Sequence, residues 1–218
     1  MNDFFDKIIV VNLDRRVDRM EHVYNQANDM KIDVERFSAF DGTTLTSRPG
    51  KPPHKSWSVI SMGNYGNILS QRALIQKAID NKWESLLILE DDFQFYDPNR
   101  PAKMPWTPRE KVREYLESVP KNWDMIYFGG NHQTPLIPID NLVGKCSYTL
   151  TAHAVGIKNT MYEHILYHTR NLNVPIDLSY AQLHSTYNVY SSIETLATQM
   201  AGYSDIAERN VDYSTVIK

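Results

Sequence analysis

Ser85-Leu-Leu-Ile-Leu-Glu-Asp-Asp92 is an apolar run of strand length that ends directly in three acidic residues. An uninterrupted run of this kind predicts a strand buried on both faces, as in a parallel sheet covered by helices. Three carboxylates at the end of such a strand repel one another unless a cation neutralises them. Mg²⁺ and Mn²⁺ prefer oxygen ligands and commonly take one or two carboxylates, so Glu90, Asp91 and Asp92 predict a divalent-metal site. The alternative is that these acids only cap the following loop or helix.

The N-terminal forty residues show the same kind of strand followed by a helix and a second strand. Lys7-Ile-Ile-Val-Val-Asn12 is a continuous β-branched run, which predicts a first, central strand. Asp14 is predicted to cap an amphipathic helix that extends to about Asp29. Residues 34–40 are predicted to form a second strand, closed by the turn signal Asp41-Gly42. The three elements form a βαβ crossover of ordinary length.

Strands and helices continue to alternate along the rest of the chain. The alternation predicts an α/β fold built on a mostly parallel sheet, in which ligands bind at the carboxyl ends of the strands. The predicted elements are helices over residues 64–81, 108–118 and 159–169, strands over residues 85–89, 124–128 and 147–157, and a short helix from Asp177.

The chain length predicts a single domain over residues 1–218, because 218 residues suffice for one well-filled core. Residues 43–60 are rich in Ser, Thr, Pro, Gly and Lys, which predicts a long mobile loop of the kind that acts as a lid in enzymes. The basic stretch at residues 48–55 either contacts an anionic acceptor or forms a solvated surface loop.

Charge and cysteine content exclude some classes of protein. The net charge is −3, so no overall basic field attracts nucleic acid or an anionic membrane. Cys146 is the only cysteine, which excludes an internal disulfide framework and favours a reducing compartment. No signal-peptide pattern and no apolar run near the roughly 20 residues of a spanning helix are present. We therefore expect a cytoplasmic protein without a transmembrane segment.

A second polar motif follows the first predicted strand. Arg15 and Arg19 are four residues apart and lie near the start of the predicted helix, where the helix dipole disfavours positive charge. A bound anion relieves this arrangement, and arginine and helix N-termini both suit phosphate. A diphosphate held between these arginines and a metal on the acid run explains both clusters. Alternatively, Asp14 and Asp18 pair with the nearby arginines.

Several motifs together resemble a known family in their order along the chain. The resemblance is to glycosyltransferase family 25, the lipopolysaccharide and collagen-type galactosyltransferase group. The segments that carry it are Val10-Val-Asn-Leu-Asp-Arg-Arg-Val-Asp-Arg19, Phe37-Ser-Ala-Phe-Asp-Gly42, Gly66-Asn-Ile-Leu-Ser-Gln-Arg72, Leu87-Ile-Leu-Glu-Asp-Asp92 and, more loosely, His153-Ala-Val-Gly-Ile-Lys158, Val174-Pro-Ile-Asp177, Gln199 and Ser204-Asp-Ile206.

The resemblance implies a GT-A type fold, which is a Rossmann-like α/β/α sandwich with a mostly parallel central sheet. It implies a hexosyltransferase that uses a nucleotide-sugar donor, usually UDP-linked, with Mn²⁺ or Mg²⁺. It also implies an inverting displacement, in which a carboxylate base deprotonates the acceptor hydroxyl while the metal stabilises the departing diphosphate. The acceptor stays open among a glycan, a lipid-linked glycan, a protein and a modified nucleic acid.

The resemblance also implies roles for individual residues. Asp177 is the implied catalytic base, with an ordinary helix N-cap as its alternative. Asp92 is the implied metal ligand, and Asp205 completes the metal or diphosphate shell or is an exposed tail acid. The implied donor-binding residues are Asn12, Leu13, Arg15, Arg19, Asp41, Gly42, Glu90 and Asp91.

Departures from the family pattern and two other classes of function stay open at this point. Gln71 stands where the family has His, which removes a titratable group, and residues 154–156 lack the family's aromatic residue, so acceptor specificity is expected to differ. A metal-dependent phosphohydrolase or receiver-like domain also places aspartates at strand ends. A catalytically silent sugar- or nucleotide-binding protein on the same fold is the third hypothesis.

Overall fold

The computed structural model describes residues 1–46, 60–95, 108–213 and 216–217. Most of the predicted loop at residues 43–60, including its basic stretch, lies outside the described residues. The helices are α1 (Val17–Met30), α2 (Met62–Asp80), α3 (Pro108–Ser118), α4 (Asn159–His168) and α5 (Ile176–Ala181), with a 3₁₀ turn at Gly42–Thr44. The strands are β1 (Lys7–Asn12), β2 (Glu35–Ser38), β3 (Ser85–Glu90), β4 (Phe93–Gln94), β5 (Met125–Tyr127), β6 (Asn131–His132), β7 (Ile137–Pro138), β8 (Val143–Lys145), β9 (Thr149–Leu150), β10 (Ala154–Lys158), β11 (Val189–Ser192), β12 (Thr198–Gln199), β13 (Gly202–Ser204) and β14 (Arg209–Val211).

The main sheet has eight strands in the order β2-β1-β3-β10-β5-β11-β8-β7. The pairs β1–β2, β1–β3 and β5–β11 are parallel, and the remaining pairs are antiparallel. These pairings make β10 and β8 run opposite to the other six strands. The sheet is therefore mostly parallel in strand direction, as predicted, with an antiparallel strand inserted near its centre.

Helices cover both faces of this sheet because successive side chains of its central strands point to opposite sides. Ile8 and Val10 of β1 belong to the cluster that buries α1 and α3, whereas Ile9 and Val11 belong to the cluster with α2, α4 and α5. Five consecutive residues of β3, residues 85–89, are buried. The continuous apolar runs thus occupy the middle of three layers, and the predicted α/β/α fold is confirmed.

Two local predictions are wrong. Asp14 does not cap α1, whose N-cap residue is Arg16, without a side-chain hydrogen bond. Asp14 instead accepts hydrogen bonds from the guanidinium of Arg36 and from Ser38 Oγ (2.8 Å), and the Arg36 bond lowers the pKa of Asp14 below its ordinary value. The single strand predicted over residues 147–157 is two strands, β9 and β10. Thr151, between them, has a φ of +72°, a left-handed conformation that interrupts an extended chain.

The C-terminal segment returns to the carboxyl ends of β1 and β3. β12 pairs with β4, and the amide of Met200 donates to the carbonyl of Asp92 (2.8 Å). β13 and β14 form a hairpin directly after it. Residues more than 100 positions apart in sequence therefore meet at the edge of the sheet where β3 ends.

Within the described part of the chain, no helix is long and apolar enough to cross a membrane.

Candidate active site

A cavity of about 300 Å³ lies at the carboxyl ends of β1 and β3. Its wall is built from the ends of these strands, the start of α2, the turn after β2, the β9–β10 connection, the start of α5 and the C-terminal segment. Ten of the eleven predicted site residues line it, and Asn12 contacts one of those ten. The ten are Leu13, Arg15, Arg19, Asp41, Gly42, Glu90, Asp91, Asp92, Asp177 and Asp205.

Asp91 and Asp92 are buried, and the guanidinium group of Arg19 forms ion pairs with both of them. The Arg19 guanidinium donates to Asp91 and, over a longer 3.4 Å, to Asp92, and its other nitrogen donates to the carbonyl of Tyr203 (2.6 Å). Asn12 Nδ2 also donates to Asp91 (2.8 Å). Burial nevertheless raises the pKa of Asp91 above its ordinary value, against the effect of Arg19. The acid run is therefore only partly neutralised by the protein itself.

Glu90 is the least compensated acid of the run. Its carboxylate accepts from Asn67 Nδ2 (3.3 Å) and Gln199 Nε2 (3.3 Å), both of which are neutral amides. Burial raises the pKa of Glu90 to about 8, with further contributions from Asp92, Asp177 and Asp91. Burial, together with the repulsion predicted from the sequence, thus favours the protonated form of Glu90.

A second ionic cluster lies at the cavity and includes its lining residues Arg15, Asp41 and Asp205. Arg15 donates to Asp41 (2.8 Å) and Asp205 (2.7 Å), and Arg16 donates to Asp205 (2.6 Å) and to Asp18 (2.9 Å). Burial opposes ionisation of Asp205, but the bonds from Arg15 and Arg16 offset it, so the pKa of Asp205 lies below its ordinary value. Asp205 is consequently a half-buried ion-pair partner and not an exposed tail acid, and its role as a metal ligand stays a prediction.

Asp177 lies in the first turn of α5 and faces the same cavity. The N-cap residue of α5 is Pro175, so the alternative that Asp177 is the N-cap is wrong. One carboxylate oxygen of Asp177 accepts from the amide of Leu178 (2.8 Å) and the other accepts from the amide of Thr151 (3.3 Å). The charge of Asp177 helps to raise the pKa of Glu90, which places the two carboxyl groups in one electrostatic unit.

Gly42 allows the turn after β2 to pack against the start of α2. A Cβ at Gly42 would lie 1.8 Å from the carbonyl oxygen of Met62, well inside the limit for real contacts. Asp41 accepts from the amide of Thr43 (2.9 Å) and fixes the turn on the other side. The predicted turn at Asp41-Gly42 therefore needs glycine for its close contact with Met62, and the turn lines one part of the cavity.

The cavity carries an excess of negative charge. Six carboxyl groups and two guanidinium groups are among its described lining residues, so the acids outnumber the arginines even when Glu90 is protonated. Within the described residues, no group of three or more His, Cys, Asp or Glu side chains is arranged to hold a metal ion alone. Gln199 Nε2 donates to both Glu90 (3.3 Å) and Asp92 (3.2 Å). One oxygen of each carboxyl group therefore lies close to the same side-chain nitrogen, which brings the two groups near each other. Two carboxylates fit a Mg²⁺ or Mn²⁺ ion that takes its other ligands from water and phosphate.

Sequence reasoning missed the polar residues that complete the site from elsewhere in the fold. Thr151 had no predicted role, and Asn67 and Gln199 were only part of the resemblance. No sequence signal reports these contacts, because they depend on where α2, the β9–β10 connection and β12 lie in the fold. Gln71, which departs from the family pattern, is buried and accepts from the hydroxyl of Tyr180 (3.2 Å).

Comparison with curated proteins gives relatives that match a little over half of the chain. The chain is 32% identical over 136 residues to "Glycosyltransferase 25 family member" of Aedes aegypti, covering 56% of this chain and 21% of the relative. It is 27% identical over 135 residues to "Procollagen galactosyltransferase 2" of Homo sapiens, covering 57% and 21%. It is also 27% identical over 141 residues to "Inactive glycosyltransferase 25 family member 3" of Homo sapiens, covering 60% and 23%. The chain spans about a fifth of the length of these curated relatives.

Solved structures give weaker likenesses. A glycosyltransferase involved in the glycosylation of the major capsid of PBCV-1 matches with a TM-score of 0.40 and 12% identity, over 76% of this chain and 66% of that one. A197 from STIV matches with a TM-score of 0.46 and 12% identity, over 94% and 92%. Both TM-scores are below 0.5.

The family model described as "Glycosyltransferase family 25 (LPS biosynthesis protein)" matches residues 5–126. This range is more than half of the 218-residue chain and includes β1, the arginine-rich turn, the start of α2 and the acid run after β3. The chain belongs to glycosyltransferase family 25.

Proposed function

We propose that this protein transfers a hexose from a UDP-linked donor to an acceptor hydroxyl by an inverting displacement that uses Mn²⁺ or Mg²⁺. The observation that carries the proposal is the meeting of Glu90, Asp92 and Asp177 in one cavity with Arg15. Family membership supports glycosyl transfer in general. The UDP-linked donor and the inverting course are what the resemblance to the family implies, and the carboxyl groups of the cavity support the metal.

The charge of the cavity supports a divalent cation. A nucleotide diphosphate is an anion, and a cavity with more carboxylates than guanidinium groups repels it unless a cation is bound with it. Glu90 and Asp92 are the residues that would hold the ion, since Gln199 brings their oxygens around one point. When bound, the ion supplies Lewis-acid stabilisation of the departing diphosphate.

The two cavity arginines take different roles in this proposal. Arg15 is about half exposed, and its bonds to Asp41 and Asp205 leave it at the surface of the cavity, where it binds the diphosphate. The buried guanidinium of Arg19 is used by Asp91, Asp92 and the carbonyl of Tyr203. Arg19 is therefore a positioning residue that orients the acid run.

Asp177 is the proposed base. An inverting displacement requires a carboxylate that takes the proton of the acceptor hydroxyl as its oxygen bonds to the anomeric carbon and the bond to the diphosphate breaks. Asp177 fits because the amides of Leu178 and Thr151 hold its carboxylate at the cavity. Glu90 is less available as a base in the metal-free protein, because burial and the neighbouring acids raise its pKa and so favour its protonated form.

Calorimetric titration with UDP and Mn²⁺ tests the shared metal site. We expect binding by the wild-type protein that is lost without Mn²⁺ and reduced at least about tenfold in Asp92→Ala, the size of one lost metal-ligand interaction. Asp29→Ala, which removes an exposed acid on α1, is the control and should bind like the wild type. Equal affinity in the Asp92→Ala variant would defeat the metal assignment.

A catalytically silent nucleotide-sugar-binding protein is the second candidate, since relatives at 27% identity are named inactive. Screening UDP-galactose, UDP-glucose and UDP-N-acetylglucosamine for metal-dependent release of UDP separates the two. UDP-galactose comes first because relatives are named procollagen galactosyltransferase. If the protein binds a UDP-sugar but releases no UDP, with or without added acceptors, the result supports the silent protein. If it releases inorganic phosphate from simple phosphomonoesters, the result supports the phosphohydrolase alternative.

A further inference from the structure

Thr151 has an unusual backbone conformation at the wall of the cavity. Its φ is +72°, in the left-handed region that β-branched residues rarely adopt. The residue connects β9, which lies outside the main sheet, to β10, which lies in its centre. Strain of this kind persists only where surrounding structure enforces it, and it concentrates at functional sites. The conformation points the Thr151 amide at Asp177 Oδ2, 3.3 Å away.

The hydroxyl of Thr151 is buried and, among the described residues, has no hydrogen-bond partner. A buried polar group without a partner is costly and calls for an explanation at each site. The residue as a whole is only half-buried and lines the cavity beside Asn131 and Leu150. Staggered positions of χ1 give the hydroxyl alternative directions on this cavity-lining residue.

The place of Thr151 beside Asp177 indicates which part of a bound donor its hydroxyl would contact. In the proposed displacement the diphosphate lies near Glu90 and Asp92, and the base lies on the opposite side of the transferred sugar. Thr151 is next to Asp177, which is that base. The sugar ring of the donor therefore lies between the acid run and the wall that contains Thr151.

We propose that Thr151 is a sugar-contacting residue whose hydroxyl, unpaired within the described protein, forms a hydrogen bond with a hydroxyl group of the donor's hexose. The proposal rests on the proposed function and names the residue that distinguishes a UDP-sugar from UDP. A site that hydrogen-bonds a substrate hydroxyl discriminates strongly against ligands that lack it.

The first test uses the ligand-free protein. Thr151→Val keeps the volume and β-branching and removes the hydroxyl, so its melting temperature should equal or exceed that of the wild type. Thr169→Val is the matched control, because the buried Thr169 hydroxyl donates to Ile165 O (2.7 Å) and accepts from Arg72 (2.8 Å), outside the cavity. The control should melt lower by about 2–4 °C or more. An equally large loss in Thr151→Val would overturn the proposal, since the hydroxyl would then have a partner within the protein.

The second test compares UDP with UDP-galactose, UDP-glucose and UDP-N-acetylglucosamine, each with Mn²⁺. Thr151→Val should bind UDP like the wild type and should bind at least one UDP-sugar about tenfold more weakly, the effect of one lost hydrogen bond. Thr151→Ser, which keeps the hydroxyl, should restore the affinity.

The outcomes separate this proposal from the proposed function. If the wild type binds UDP-sugars and Thr151→Val binds each of them equally well, the role of Thr151 is wrong and the proposed function stands. If the wild type binds none of the four nucleotides with Mn²⁺, the proposed function fails and the role of Thr151 fails with it.

Discussion

At the scale of single residues, Glu90 was predicted from the sequence to lie at the site, and its burial in the fold raises the pKa of its carboxyl group. The sequence predicted three repelling carboxylates, but it did not show that Arg19 would be used by Asp91 and Asp92 while Glu90 received only amides. The unequal sharing arises because α1 places one guanidinium beside the end of β3. The site residues at strand ends could be predicted, whereas their pairing required the fold.

The raised pKa of Glu90 predicts how stability depends on pH. The carboxyl holds its proton in the folded protein up to about pH 8 but loses it near its ordinary value of 4.5 when unfolded. The folded state therefore binds more protons between these values, and stability falls as pH rises towards 8. The buried, neutral imidazoles of His153 and His184 have an opposite effect only below about pH 6.5, their ordinary pKa.

The measurement is the melting temperature of the metal-free protein, in chelator, between pH 6.5 and 8. The wild type should lose stability across this range, and Glu90→Gln should show a flatter profile and a higher melting temperature at pH 8. A Glu90→Gln profile parallel to that of the wild type would show that the carboxyl titrates normally.

At the scale of elements, strands and helices with strong periodicity were predicted nearly to the residue. β1 matches its predicted bounds, β3 extends one residue further, and α3 begins at Pro108 and ends at Ser118 as expected. The sequence did not predict the strands β8 and β11 of the main sheet, the two-residue strands β4, β6, β7 and β12, the separate strand β9, the β13–β14 hairpin or the antiparallel direction of β10. Such features depend on partners distant in sequence, and apolar periodicity carries no information about strand direction.

The contact between the turn at Gly42 and the start of α2 leads to a prediction at this scale. Gly42→Ala forces the Met62 carbonyl away, because backbone and not a flexible side chain occupies the space. We expect a loss of about 1–3 kcal/mol in unfolding free energy, typical of overpacking, and weaker binding of UDP with Mn²⁺. Denaturant unfolding and calorimetry measure the two effects.

Gly144→Ala is the control for that substitution. Its added methyl group meets only the side chain of Leu136, and Gly144 lies outside the cavity lining. Its affinity for UDP should be that of the wild type. Full affinity in Gly42→Ala would mean that the turn does not shape the nucleotide site.

At the scale of the whole molecule, the Rossmann-like α/β/α architecture expected of a GT-A type enzyme is confirmed by the layers and strand directions. The tie between the two ends of the chain was not predictable. Asp205 bonds to Arg15 and Arg16 across about 190 positions, and Ser61 Oγ donates to Ile206 O (2.9 Å). The sequence placed Asp205 at the site by resemblance, but it gave no sign that arginines would be its partners.

This tie predicts the effect of removing one charge. Asp205→Asn weakens two charge-assisted hydrogen bonds, so the amides of the β13–β14 hairpin should exchange with solvent at least about tenfold faster, as expected for a loss of 1.4 kcal/mol or more. Asp18→Asn removes only the exposed partner of Arg16 and is the control. Hydrogen exchange measured by mass spectrometry checks both, and equal protection in Asp205→Asn would show that the hairpin is held by other contacts.

The antiparallel strand β10 lies between β3 and β5, so these two strands are joined by a strand that is synthesised after both of them. Until β10 has been synthesised, the apolar edge of β3 that it covers is unpaired and can act as a template for aggregation. Pairing of β3 with β5 through β10 therefore awaits residue 158, and the sheet is complete only after β11 (Val189–Ser192) has been made. A division of the chain for fragment complementation should therefore keep β3, β10 and β5 on one piece.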